Sequence, residues 1–161
     1  MKKEISENEA RFKAEAYCSM AERCRAEVMD KLYQWGVPSV WMDGILTHLE
    51  KEGYIDQLRY AKAFVRDKYR FNQWGRVKIS QSLRQKHFPS ADILVAMEEI
   101  DEEEYLSVLE RLLERKLSGV KAKSTFERTG KLVRFALSRG YEMDEILCCL
   151  KRIGCNDETF E

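Results

Sequence analysis

Val28 and Leu32 stand four residues apart before a Gly36-Val37 turn, with Ile45 and Leu49 beyond it. The same order returns 51 positions later as Ile79, Leu83, His87-Phe88, Ile93 and Met97. It returns again, 53 positions after that, as Leu132, Ala136, Gly140-Tyr141, Ile146 and Leu150. Three extra residues in the first copy, around Val40 to Asp43, are the only break in register. Self-similarity at this period constrains the chain to a supersecondary unit used three times. The expected fold is all-α: three tandem three-helix modules forming an elongated, curved array, whose long surface suits a long partner.

Within each copy the apolar spacing is helical, and no stretch alternates as a strand would. Pro38 and Pro89 occupy matching places, each ahead of a serine, Ser39 or Ser90, placed to cap the next helix. Asp144 stands near the corresponding start in the third copy, where a negative charge suits the helix dipole. Ser124 with Glu127 reads as a capping box. Segments Ala16 to Ala21, Tyr60 to Val65 and Leu106 to Leu113 supply the first helix of each unit. The divisions expected are a charged N-terminal extension over 1–15, modules over 16–53, 54–100 and 101–153, and a tail over 154–161. Gly119 to Lys123 is the expected flexible loop.

Charge enters the argument through its distribution. The chain carries 28 basic and 28 acidic side chains, so net charge predicts no polyanion partner. The sum conceals segregation: nine Lys or Arg against Asp67 alone between Arg59 and Lys86, and seven acids with no base between Asp92 and Glu104. A third block, Arg111 to Arg139, holds nine bases against Glu114 and Glu127. Such blocks create local potentials. Arg59, Lys62, Arg66 and Arg70 recur at helical spacing, and Arg76, Lys78, Arg84 and Lys86 continue the series. Tyr69, Phe71 and Trp74 interleave it, a mixture suited to phosphate and bases or to an acidic protein groove. In the third copy the candidates are Arg115, Lys116, Lys121, Lys123, Arg128, Lys131, Arg134 and Arg139. The competing reading of any such run is a solvated face balanced by the acidic block.

Catalytic and cofactor chemistry is not indicated. His48 lies in an apolar helix and His87 in a turn, neither with a nucleophile at recognisable spacing. Cys148 and Cys149 face different sides of one helix, and no metal-ligand set surrounds them. The glycines are scattered singly, without a phosphate loop or dinucleotide fingerprint. No apolar run reaches the length of a membrane span, and Met1 to Lys13 lacks the apolar centre of an export signal. The expectation is therefore a cytoplasmic protein with reduced thiols, no cofactor, no metal and no enzymatic activity.

Several short motifs in this order resemble one bacterial family. They are Glu27-Val28 with Lys31-Leu32, Gly53-Tyr54-Ile55-Asp56 with Arg59-Tyr60-Ala61 and Phe64-Val65, then Arg115-Lys116-Leu117, and Arg139-Gly140-Tyr141 with Asp144, Ile146 and Leu150. Together they resemble the RecX regulators over about Ala16 to Ile153. The resemblance implies a protein of three three-helix modules that lodges in the helical groove of the RecA filament on single-stranded DNA; a monomer is expected. It would there restrain filament growth, ATPase, strand exchange and coprotease activity, with room for weak binding to single- or double-stranded DNA. Cys24 replaces the family's capping serine, Asp56-Gln57 its acidic pair, and His87 its turn glycine. The alternative is a direct DNA-binding protein whose units act like helix-turn-helix readers, with Arg76, Lys78 and Arg84 meeting a duplex.

Overall fold

The computed structural model describes residues 4–154, so Cys155 and the tail beyond Gly154 lie outside the described residues, as do residues 1–3. Among the described residues there are nine helices and no strand. They are α1 (Glu7–Met20), α2 (Arg25–Gln34), α3 (Ser39–Lys51), α4 (Gln57–Arg70), α5 (Arg76–Gln85), α6 (Ser90–Met97), α7 (Glu102–Leu117), α8 (Thr125–Ser138) and α9 (Met143–Arg152).

The repeat seen in the sequence is a repeated helix end. The amides of Val37, Phe88 and Tyr141 donate to the carbonyls of Leu32, Leu83 and Ala136 at 3.0, 3.1 and 3.2 Å. One residue earlier, the amides of Gly36, His87 and Gly140 reach the carbonyls of Tyr33, Arg84 and Leu137. This double closure satisfies carbonyls that a helix end otherwise leaves without partners. It requires a left-handed residue, and φ is +76° at Gly36, +68° at His87 and +97° at Gly140. His87 thus takes the glycine conformation despite its Cβ. The residue that follows each turn is buried, which anchors the turn to the core beneath it.

All the apolar pattern positions are buried except Met97, which is half-exposed at the end of the short α6, where Ala96 turns inward instead; the turn residues Gly36 and His87 are exposed. Each Leu or Ile so buried contributes roughly 1.5–3 kcal/mol of transfer free energy. Two capping expectations are corrected. Ser39 and Ser90 are the first residues inside α3 and α6, and Pro38 and Pro89 hold the cap positions without a side-chain bond. Ser124 does cap α8, accepting from the Glu127 amide at 3.1 Å, but the Glu127 carboxylate reaches back to the Lys123 amide, one residue beyond the expected box.

By contacts the chain divides into two compact units, residues 1–63 and 64–161, with the boundary inside α4. In the first, α1, α2 and α3 pack against one another around Val28, Leu32, Ile45, Leu46 and Leu49. The first helix starts at Glu7, well before the Ala16 read from the sequence. Ser6 caps it, and Ala10 and Ala14 are buried against the core, small enough to carry little apolar signal amid charged neighbours. In the second unit α5 packs on α6, while α7, α8 and α9 form a three-helix bundle. The expected loop at Gly119 to Lys123 lies between α7 and α8.

A close joint ties α5 to the α8–α9 turn inside this second unit. The Gly75 amide donates to the Arg139 carbonyl at 2.7 Å, and the Val77 amide to the Gly140 carbonyl at 3.0 Å. The exposed donors at the start of one helix thereby meet the exposed acceptors at the end of another. A side chain at either Gly75 or Gly140 would collide with the backbone opposite.

Candidate functional site

The arginines of the predicted stripe are largely neutralised within the protein. Arg59 meets Glu22 at 2.6 Å, Arg66 meets Glu99 at 3.3 Å and Arg70 meets Glu104 at 2.8 Å. Arg76 bridges Glu102 and Glu145, the latter at 2.5 Å. The acidic block of the sequence therefore has a folded role: Glu99, Glu102 and Glu104 each take an arginine from α4 or the start of α5. Exposed ion pairs of this kind add little stability, yet they remove charge from the surface potential.

Tyr69 corrects another expectation. It is fully buried rather than part of an aromatic surface, and it heads a run of three tyrosines. Its ring lies 6.3 Å from Tyr105, which lies 5.3 Å from Tyr141. The Tyr105 hydroxyl accepts from the Arg76 amide at 3.0 Å and donates to Glu145 at 3.4 Å, while the Tyr141 hydroxyl donates to the Gln73 carbonyl at 3.1 Å. Burial pushes the Tyr105 and Tyr141 hydroxyls up, so both stay protonated donors.

The lysines behave differently. Lys68 and Lys78 stand 4.7 and 4.5 Å from the ring centre of Trp74, and Lys68 and Lys86 stand 5.3 and 5.9 Å from that of Phe64. The two rings meet edge to face at 6.3 Å. Among the described residues none of these three ammonium groups forms an ion pair. Each is held by an aromatic face, which orders the side chain without cancelling its charge. The result is a compact cationic patch. Lys68 is absent from the sequence candidates and Phe64 enters only among the motif residues, although the spacing of four that puts Phe64 and Lys68 on one face of α4 is a usable signal.

A second basic surface belongs to α7 and α8. Lys116 and Arg139 lie 4.8 and 5.2 Å from the ring centre of Phe135, and Lys116 and Phe135 line a concavity of about 470 Å³ with Lys121, Lys131 and Arg134. Lys131 is partly spent on Glu127 at 3.3 Å and on the Lys121 carbonyl at 2.6 Å. Arg84, Arg115 and Lys123 are exposed, Lys62 and Arg128 half-buried. The predicted set thus includes arginines paired within the fold, lysines and arginines of two basic patches, and further exposed cations such as Arg84 and Arg115.

His48 is tied to Glu15 at 3.2 Å, Cys149 is buried with its thiol pushed up to about 11 by that burial, and Cys148 is exposed. Among the described residues no group of His, Cys, Asp and Glu is placed to hold a metal, and no helix is long and apolar enough to cross a membrane.

Comparison with known proteins agrees with this architecture. Residues 56–97 match the family model of the RecX second three-helix domain, and residues 102–150 that of the RecX third three-helix domain. The regulatory protein RecX of Pseudomonas savastanoi pv. phaseolicola is 35% identical over 138 residues, covering 84% of this chain and 86% of that protein. RecX of Vibrio campbellii is 32% identical over 120 residues, covering 74% and 76%. The crystal structure of RecX from Lactobacillus salivarius superposes with a TM-score of 0.77 at 20% identity, covering 91% of this chain and 96% of that one, a likeness of fold.

Proposed function

Since the chain belongs to the RecX family of regulatory proteins, we propose that it binds the RecA filament on single-stranded DNA within its helical groove. Bound there, it restrains filament growth, ATP hydrolysis, strand exchange and coprotease activity, acting as a cytoplasmic monomer without catalysis of its own. A bound regulator shifts a polymer between states only by its unequal affinity for them. Contact with a long polyanionic assembly supplies that difference where cations are available on the surface.

The observation that carries this reading is the patch of Lys68, Lys78 and Lys86 on Phe64 and Trp74, charged and without carboxylate partners. With Arg66, Arg70 and Arg76 paired inside the fold, these three lysines are left to an outside anion. Because ammonium groups already stand close to the Trp74 ring, the patch favours charge contact over base stacking.

The test is RecA's DNA-dependent ATP hydrolysis as this protein is titrated in. Wild type is expected to inhibit, and the triple variant Lys68→Gln, Lys78→Gln, Lys86→Gln to require about tenfold more protein, as loss of several phosphate-class contacts implies. Inhibition by the triple variant equal to wild type removes the patch from the interface. Absence of inhibition by wild type removes the filament reading, and tight, sequence-dependent duplex binding without RecA replaces it with the helix-turn-helix alternative.

A further inference from the structure

Gly130 sits in the interior of α8, where glycine costs stability relative to alanine. Its φ is not in the left-handed region, and an added Cβ would meet only the Arg134 guanidinium, at the ordinary distance of 3.6 Å. Neither backbone conformation nor internal packing calls for a glycine here. What it does is leave the floor of a groove open. Phe126, Gly130, Val133 and Leu137 follow at intervals of four, three and four along α8, with Met143 closing one end, and together they line a concavity of about 470 Å³. Phe126 is 60% exposed, Leu137 42% and Met143 43%, a concentration of apolar surface on one helix face.

Arg134 lines this apolar groove and also the basic concavity beside it that holds Lys116 and Lys121. No carboxylate among the described residues pairs with Arg134, whereas the one acid in the groove, Glu127, is already engaged by Lys131 and the Lys123 amide. The surface therefore has an apolar trough, about 16 Å long over three turns of α8, with an unspent cationic flank.

The geometry points to a docking site on α8 for an acidic amphipathic helix of a protein partner. Its apolar ridge fills the trough over Gly130, and its carboxylates meet Arg134, Lys116 and Lys121. Helix-in-groove recognition uses apolar anchors at i, i+3 or i+4, and i+7, the spacing that α8 presents. Nucleic acid fits poorly, since phosphates gain nothing from Val133, Leu137 and Met143. This surface is distinct from the lysine patch and stands or falls separately from the filament reading.

The probe is a fluorescein-labelled helical peptide with leucines at i, i+4, i+7 and i+11 and glutamates along one flank, measured by anisotropy against the full chain. Binding is expected to weaken with salt, to be lost when the glutamates become lysines or the sequence is scrambled, and to fall about tenfold or more with Gly130→Leu. That variant fills the trough with a stronger helix former, so the fold is retained, as circular dichroism and a melting transition no lower than that of wild type check. Leu137→Glu is the second variant, expected to weaken binding through like charge. Unchanged affinity in both variants overturns the site. So does displacement of the peptide by a single-stranded oligonucleotide, or a change in sedimenting mass on Gly130→Leu, which would assign the trough to nucleic acid or to a second copy.

Discussion

Gly75 and Gly140, 65 positions apart in the chain, touch backbone to backbone: a Cβ on Gly75 would overlap the carbonyl group of Gly140. Gly75 has an ordinary φ of −83°, so its need for glycine is purely steric. Gly36 is the opposite case, with φ at +76° and nothing within 4 Å of an added Cβ.

These two reasons for glycine are separable by experiment. Gly75→Ala is expected to lower unfolding free energy by about 1–3 kcal/mol through overpacking, and Gly36→Ala by about 1–2 kcal/mol through left-handed strain. Gly140→Ala combines both effects and should be the most damaging of the three. Urea unfolding ranks them, and hydrogen exchange at the Val77 amide, donor to Gly140, should accelerate in Gly75→Ala but not in Gly36→Ala.

His87→Gly runs the other way. His87 occupies the left-handed position that glycine fills in the other two copies, at φ +68°. Its side chain is exposed and forms none of the hydrogen bonds that close the turn. Relief of strain, less the added freedom of the unfolded chain, should raise stability by about 0.5–1 kcal/mol. A lower melting temperature in His87→Gly would mean the imidazole contributes a contact of its own.

Glu145 makes stability depend on pH. Burial raises its carboxyl above the ordinary 4.5, with the Glu142 amide and Arg76 pulling the other way. A carboxyl with a raised folded-state pKa binds its proton more tightly in the native protein than in the unfolded chain. Its contribution is thus fully present below 4.5 and is lost as pH rises through the folded value. Glu145→Gln removes this titration. The stability of wild type relative to Glu145→Gln should therefore decline as pH is raised from about 4 to 7, as urea midpoints across that range would show. A gap that widens with pH would mean that the Arg76 pairing outweighs burial.

Arginine and lysine substitutions should part company. Arg66→Gln and Arg70→Gln break pairs with Glu99 and Glu104 and so act within the fold. They should leave the salt dependence of filament binding nearly unchanged, whereas Lys68→Gln with Lys78→Gln should flatten it. Equal flattening by both pairs would show that Arg66 and Arg70 leave their carboxylates on binding.

What short-range physics governs is readable along the chain. Helical spacing, the recurrent Leu32-Gly36-Val37 type of helix end, and the Ser124 cap all depend on residues within about five positions of one another. The all-α repeat was legible for that reason. Tertiary structure alone decided which charges remain available, because Arg66 meets a carboxylate 33 residues away and Arg76 one 69 residues away. It also decided that Tyr69 turns inward, that Gly75 meets Gly140, and that the space over Gly130 stays open. Spacing along a chain says which face a side chain shares; only the packing of distant helices says whether that face meets a partner charge, a core or solvent.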